Sequence, residues 1–241
     1  SGDIESTFES LAHQVKAGLN MAMCGIPWWN TDIGGFYGAD ITSDYFKELI
    51  VRWFQFGLFS PVMRLHGSRN RHFEPTPGLK EPSGDPNEIW SFGEENFEIL
   101  KNLIFIREKL RPYIQSQMDI ASEKGYPIMR PMFFEYPDDE MCYTLDSQYM
   151  FGSDIIFAPI VNRGQTVKTV YIPEGEWVLT KDKKVYTKGT YEITADINEF
   201  IERFRYKATK ANAVQSRIKQ LEKIKIIPKP QKSDNTAFHT S

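Results

Sequence analysis

The hydrophobic pattern of this chain changes period at about residue 127, and any fold it adopts must hold both patterns. Before that point, apolar residues recur at helical spacing with strand-length runs between them. Residues 5–18 read as an amphipathic helix on Phe8, Leu11, Ala12 and Val15, with Gly18 as its C-cap. The apolar run 21–26 is strand-length, and a loop over 27–40 is rich in Trp, Gly and Asp. Thr42 or Ser43 can cap a second helix, whose apolar face is Phe46, Leu49, Ile50, Trp53, Phe54 and Gly57. Residues 61–65 read as a second short strand ending at His66. A polar loop broken by Pro75, Pro77, Pro82 and Pro86 then runs to about Glu88. A third helix reaches Arg111, where Pro112 is expected to stop or kink it. Helices alternating with short strands are the mark of βα units.

Beyond the break the segments 128–134, 149–160, 166–172 and 176–179 are short and β-rich. Turn residues such as Pro173-Glu-Gly175 separate them. The expected fold class is therefore α/β followed by all-β, with an antiparallel sheet after the α/β unit. Residues 202–227 read as a basic helix with a heptad stripe: Phe204, Ala211 and Ile218, alternating with Ala208, Val214 and Leu221. Residues 228–241 are Pro/Lys/Ser-rich and are expected to be disordered. The expected division is 1–126, 127–201, 202–227 and 228–241.

Composition narrows the function classes. Apolar residues make up 41% and charged residues 25%, as in soluble globular chains, which excludes collagen and wholly disordered classes. No run reaches the roughly 18 apolar residues of a membrane helix. No signal-peptide pattern follows residue 1, and the compartment stays open with the cytoplasm favoured. Cys24 and Cys142 each stand alone, outside any CxxC pair, which argues against a zinc site or a disulfide framework. From Glu202 onward there are ten Lys and Arg against three Asp and Glu, leaving 19 basic against 29 acidic residues before it. An acidic body with a basic tail suggests two pieces with different partners.

The polar residues with chemical promise sit just past strand ends, the face on which β/α barrels build active sites. Asp32 lies in Trp28-Trp-Asn-Thr-Asp-Ile-Gly-Gly-Phe36, His66 ends Met63-Arg-Leu-His66, and Asp3 precedes the first helix. Aromatic rings beside carboxylates suit a sugar, whose apolar faces stack while its hydroxyls bind carboxylate and imidazole. Each residue has a plainer alternative. Asp3 can be a helix cap, Asp32-Ile-Gly-Gly a turn, and His66 a core histidine. His13 and His72 have no partner pattern, so neither a metal nor a cofactor is expected.

Several motifs occur in one order: Ser1-Gly-Asp3, Gly25-Ile-Pro-Trp-Trp-Asn-Thr-Asp-Ile-Gly-Gly-Phe36, Arg64-Leu-His-Gly67, Met129-Arg-Pro-Met132, Gln148-Tyr-Met-Phe-Gly152, Ala158-Pro159 and Tyr171-Ile-Pro-Glu-Gly-Glu-Trp177. In this set and order residues 1–201 resemble the C-terminal part of a glycoside hydrolase family 31 enzyme, a family of α-glucosidases, α-xylosidases and α-glucan-modifying relatives. The resemblance implies the last strands of a (β/α)8 TIM barrel, entered near strand six of eight, and then an antiparallel β-sandwich segment. It also implies a retaining mechanism with two aspartates. Asp3 matches the acid/base aspartate. Asp32 and His66 match residues that hold the sugar, and Phe36 and Trp29 match aromatic walls of its pocket. Arg64 precedes the histidine of its motif and carries no assigned role beyond structure. The family's nucleophile motif has no counterpart here, so this chain by itself is expected to be inactive. The partner implied is an oligosaccharide with terminal α-linked glucose or xylose, with no membrane.

The tail resembles something else. Residues 197–227 are similar to the inter-domain linker of F-type ABC ATPases, a helical hairpin that enters the ribosome. A fusion around residues 198–201 is the expectation drawn from this. Two alternatives to a glycosidase fragment stay open: a non-catalytic carbohydrate-binding remnant, and an RNA- or ribosome-binding module acting through the basic residues 202–232.

Overall fold

In a computed structural model the described residues are 2–69, 86–200 and, as backbone, 202–205. The first helix, α1, spans Phe8–Met23, and Thr7 caps it by accepting a hydrogen bond from the Ser10 amide at 3.0 Å. The second, α2, spans Asp44–Leu58, and the Ser43 hydroxyl caps it through the Phe46 amide. The third, α3, spans Glu94–Lys124 and closes on Gly125 in the left-handed conformation. Before, between and after the first two helices run three extended stretches, residues 4–6, 33–39 and 65–69. Parallel bridge pairs Glu5–Tyr37, Ile33–Leu65 and Ala39–Arg69 tie them together. Parallel stretches joined through helices are the expected βα units.

Three local expectations give way here. The helix expected to end at Gly18 runs five residues further, so residues 21–26 are no strand. The helical spacing of Leu11, Val15, Gly18, Leu19 and Ala22 continues without a break, and these positions are buried. Gly18 is there for space rather than as a cap: a Cβ on it would stand 2.6 Å from the Trp29 indole nitrogen. Pro112 neither stops nor breaks α3. Its missing N–H and its ring cost roughly 3 kcal/mol in a helix interior, and side chains pin the helix on both sides. Arg107 donates to the carbonyls of Leu58, Ser60 and Pro61 at 2.6, 2.8 and 2.8 Å. Tyr113 donates to the Phe151 carbonyl at 2.9 Å and accepts from the Asp154 amide at 3.1 Å.

The all-β part follows as expected. Its elements are β1 (Met129–Pro131), the short helix α4 (Met132–Glu135), β2 (Tyr149–Phe151), β3 (Ile155–Phe157), β4 (Val167–Ile172), β5 (Trp177–Leu179), β6 (Val185–Tyr186), β7 (Gly189–Thr194) and β8 (Glu202–Arg205). One antiparallel sheet has the order β1-β2-β3-β8-β5-β6, and β4 pairs with β7 in a second. The hairpin β2–β3 is buried on both faces. Tyr149, Phe151, Ile155 and Phe157 join the core of α1, α2 and α3, while Met150 and Ile156 join a second core with Val170, Ile172, Trp177 and Ile193. Each large side chain buried in this way contributes about 1.5–3 kcal/mol.

The strand β8 corrects the reading of the tail. Residues 202–205 were expected to open a basic helix. Instead they fill the place between β3 and β5, pairing with both. The sequence Arg203-Phe-Arg205-Tyr alternates charged and aromatic residues, a period of two that suits a strand in a slot open on both sides. The remainder of the expected helix, and the tail beyond it, lie outside the described residues. Among the described residues no helix is long and apolar enough to cross a membrane.

Two predictions follow from this packing. Gly18→Ala gains up to about 1 kcal/mol of helix propensity but drives a methyl into the Trp29 ring, an overpacking cost of about 1–3 kcal/mol. The expected result is net destabilisation and a lower Tm in thermal unfolding; an unchanged or raised Tm would contradict the contact. Lys168 is buried, with its ammonium on the carbonyls of Ser147 and Pro159 at 2.9 and 2.5 Å. Burial pulls its pKa down from 10.5 to about 8, with Asp146 opposing. Between those values the unfolded chain holds the extra proton, so this lysine's contribution to stability rises with pH, by up to about 1 kcal/mol per unit. Urea unfolding at pH 7.5–9.5 should show the wild type gaining on Lys168→Met as pH rises, and a constant gap would contradict it.

Candidate active site

The three parallel stretches converge at one end. The Ile4 carbonyl accepts from the amides of Phe36 and Tyr37 at 2.7 and 3.2 Å, and the Phe36 carbonyl accepts from the Ser68 amide at 2.6 Å. Ile33 donates to the Arg64 carbonyl at 3.2 Å. These bonds set Asp32, Phe36, Arg64 and His66 on neighbouring stretches. Along 62–69 exposure alternates: Val62, Arg64, His66 and Ser68 are open, and Arg69 is buried. Arg64 and His66 therefore share the open face.

Asp32 faces the same way. Its side chain is 4% exposed, and its carboxylate is paired with the guanidinium of Arg64, which is 49% exposed. A buried carboxylate thus meets a cation that also reaches solvent. Four residues on, the ring of Phe36 lies 5.6 Å from the imidazole of His66, tilted by 43°. Carboxylate, guanidinium, imidazole and an aromatic face stand together, a set that can hydrogen-bond hydroxyls and stack against an apolar ring face.

Between Asp32 and Phe36 the chain turns on Gly34 and Gly35, both at positive φ of 90° and 77°. A Cβ on Gly35 would meet the Ser6 backbone at 2.6 Å, so the close approach of the first two stretches needs glycine there. The Gly35 amide donates to the Asp32 carbonyl at 2.9 Å. The stretch is a turn, as the plainer reading held, and it carries a buried carboxylate at its start.

The other two sequence candidates fall differently. Asp3 is exposed and is not the cap of α1, a part that Thr7 plays. It precedes Ile4, at the end of the first stretch bonded to Phe36. Trp29 does not reach the open face. Its ring is buried in the core against Gly18. Trp28, by contrast, is 54% exposed. Sequence reasoning passed over Trp28 and gave Arg64 only a structural part. For Arg64 the signal was the two-residue alternation through His66, along which Val62, Arg64, His66 and Ser68 are open. Among the described residues no group of three or more His, Cys, Asp and Glu could hold a metal ion.

The pairing has a measurable asymmetry. Arg64→Leu leaves the buried Asp32 carboxylate without its partner, at a cost of about 1–3 kcal/mol. Asp32→Asn leaves Arg64 free to turn to water, at a smaller cost. Adding Asp32→Asn to Arg64→Leu should recover part of the loss in urea unfolding. Strict additivity would mean that the pair is not coupled.

Comparison with known proteins bears on residues 1–215. Residues 1–117 match the glycosyl hydrolases family 31 TIM-barrel domain, and residues 125–215 match the glycosyl hydrolase family 31 C-terminal domain. The second match runs through β8, and nothing in the comparisons supports the likeness of residues 197–227 to an ATPase linker. An α-xylosidase of Saccharolobus solfataricus is 37% identical over 177 residues, 73% of this chain and 22% of its own length. Alpha-glucosidase 2 of Bacillus thermoamyloliquefaciens is 34% identical over 199 residues, 82% of this chain and 23% of its own. The crystal structure of an α-xylosidase from a soil metagenome, complexed with xylose, superposes with a TM-score of 0.81 at 43% identity, covering 90% of this chain and 32% of that one. This chain thus spans about a fifth of the curated relatives' length. Matches to both domains, in order, over a structure with barrel-type parallel stretches followed by an antiparallel sheet, place the chain in glycosyl hydrolase family 31.

Proposed function

We propose that this chain is the acid/base and sugar-holding part of a retaining α-glycosidase acting on terminal α-xylosidic or α-glucosidic bonds. The observation that carries the reading is the buried Asp32 carboxylate, paired with the solvent-reaching Arg64 beside the Phe36 and His66 rings. Relatives named as α-xylosidase and α-glucosidase are in keeping with it. Asp32 accepts hydrogen bonds from sugar hydroxyls, with Arg64 and His66 donating to neighbouring oxygens. Phe36, with Trp28 rather than the buried Trp29, offers the apolar surface.

Asp3 serves as the proton donor. In a retaining mechanism one carboxylic acid protonates the departing glycosidic oxygen while a carboxylate on the other side attacks the anomeric carbon. The first group then takes a proton from the water that cleaves the ester. The exposure of Asp3, next to Ile4 whose carbonyl accepts from the Phe36 amide, supports that part. The nucleophile's part is assigned to none of the described residues, and these residues are expected to bind sugar without turning it over.

Two measurements test this. Xylose, glucose and their methyl α-glycosides, titrated into the chain, should shift the NMR signals of His66 and Phe36 with millimolar affinity. Asp32→Asn should weaken that binding at least tenfold; equal affinity in the variant would move the site elsewhere. p-Nitrophenyl α-xyloside should stay intact in the presence of the chain. Steady release of p-nitrophenol that Asp3→Asn abolishes would overturn the division of labour.

A further inference from the structure

Arg69 lies below the open face, 2% exposed, with its guanidinium among backbone carbonyls. One terminal nitrogen donates to the Gly35 carbonyl at 2.8 Å, and at 3.4 Å to the Gly34 carbonyl and the Ser6 hydroxyl. The other donates to the Ile33 carbonyl at 3.2 Å, and Nε donates to the Asn87 side-chain oxygen at 2.8 Å. The ring of Phe46, on α2, lies 4.9 Å below the cation. Three successive carbonyls, of Ile33, Gly34 and Gly35, therefore converge on one charge, drawn inward by the positive φ of the two glycines.

The segment held in this way begins after Asp32 and ends before Phe36. Its conformation sets the spacing of the carboxylate and the aromatic ring. The same guanidinium bonds Ser6 on the first stretch and belongs by sequence to the third, so it ties all three stretches at the end where the site lies. A lysine could satisfy one or two of these acceptors but not the set, because they are arranged for a planar fork of five donors. Without a cation, three buried carbonyls would face one another unpaired.

We propose that Arg69 is a positioning residue of this site: its guanidinium fixes the Ile33–Gly34–Gly35 turn and so sets where the Asp32 carboxylate and the Phe36 ring stand for a bound sugar. It touches no substrate. Burial lowers its pKa to about 10, with Asp32 opposing, so it stays charged at neutral pH. The part it plays in sugar binding rests on the function proposed above. Its hold on the turn does not.

The test uses the full chain with Arg69→Met and Arg69→Lys. Amide hydrogen exchange at Phe36 and Ser68 should accelerate at least tenfold in Arg69→Met, while the amides of Phe54 and Phe56 in α2 keep their protection. Methylguanidinium at millimolar concentration should restore the slow exchange by occupying the vacated site. In Arg69→Lys, with Tm within a few degrees of wild type, the Kd for xylose should rise at least tenfold. Unchanged exchange at Phe36 and Ser68 in both variants would overturn the hold on the turn. Faster exchange with an unaltered xylose Kd would overturn the positioning role. Should Arg69→Met fail to fold, the lysine variant's exchange and Kd decide both points. If the wild type itself gives no sugar-dependent shift at His66, the proposed function falls, and the exchange result still decides what Arg69 holds.

Discussion

The rest of the structure depends on the burial of β2 and β3 from both sides. Alternate residues of this hairpin enter two different cores, so neither core can be completed without the other part of the chain. Phe157 stacks on Phe59, just past the end of α2, at 4.3 Å, and the Tyr149 hydroxyl donates to the Phe59 carbonyl at 2.9 Å. On the same junction, Arg52 of α2 donates to the carbonyls of Asp196, Glu199 and Gln165, and Gln55 donates to those of Ile197 and Glu199. A β/α layer and an antiparallel sheet are thereby joined by apolar contact at the centre and satisfied polar groups around it. That seam makes the end of α2 a fixed point, and the stretch at 65–69 starts only a few residues beyond it.

The site inherits that rigidity and adds its own electrostatics. Two arginines bear on the segment from Asp32 to Phe36, from opposite sides. Arg64 meets the carboxylate from the solvent side. Arg69 meets the backbone carbonyls from the protein side. A buried carboxylate is costly unless paired, and here its partner reaches water, where a ligand hydroxyl could share it. The converging carbonyls are costly in the same way, and a buried cation answers them. Binding groups held in this manner lose little freedom when a ligand arrives, which is the advantage of a site built on rigid stretches over one built on a free loop.

Much of this was legible in the residues. The change of period at residue 127 separated the two layers. Ser43 announced the start of α2, since a hydroxyl can take up an orphan amide of the first turn. Asp32 and His66 could be picked out as polar residues beside aromatic ones, and Phe36 through the family resemblance, although the strand expected before Asp32 is the end of α1. Other positions misled because their local signal was real but outweighed. Gly18 looked like a helix stop, and Pro112 like a break. The first is small to admit an indole from another element. The second is tolerated because Arg107 and Tyr113 hold the helix on either side of it. Trp28 and Trp29 are adjacent and chemically alike, and only the packing of Trp29 against Gly18 decides which one is open.

By itself, then, the sequence determined that helices alternate with extended stretches before residue 127 and that short strands follow it, where α1 and α2 begin, and which short windows are candidates for sugar-type chemistry. These depend on backbone preference and on the spacing of apolar residues, both of which act over a few neighbours. Only the tertiary structure decided that residues 202–205 are a strand, that Trp29 is core, and that Arg64 and Arg69 grip the Asp32–Phe36 segment from two sides. The strand pairing and the two arginine contacts join groups 30 or more residues apart in the chain, and the Trp29 ring packs on Gly18 of another element. A slot between two strand edges, a carboxylate without water and a set of facing carbonyls exist only once the chain has closed, and each then selects the residue that satisfies it.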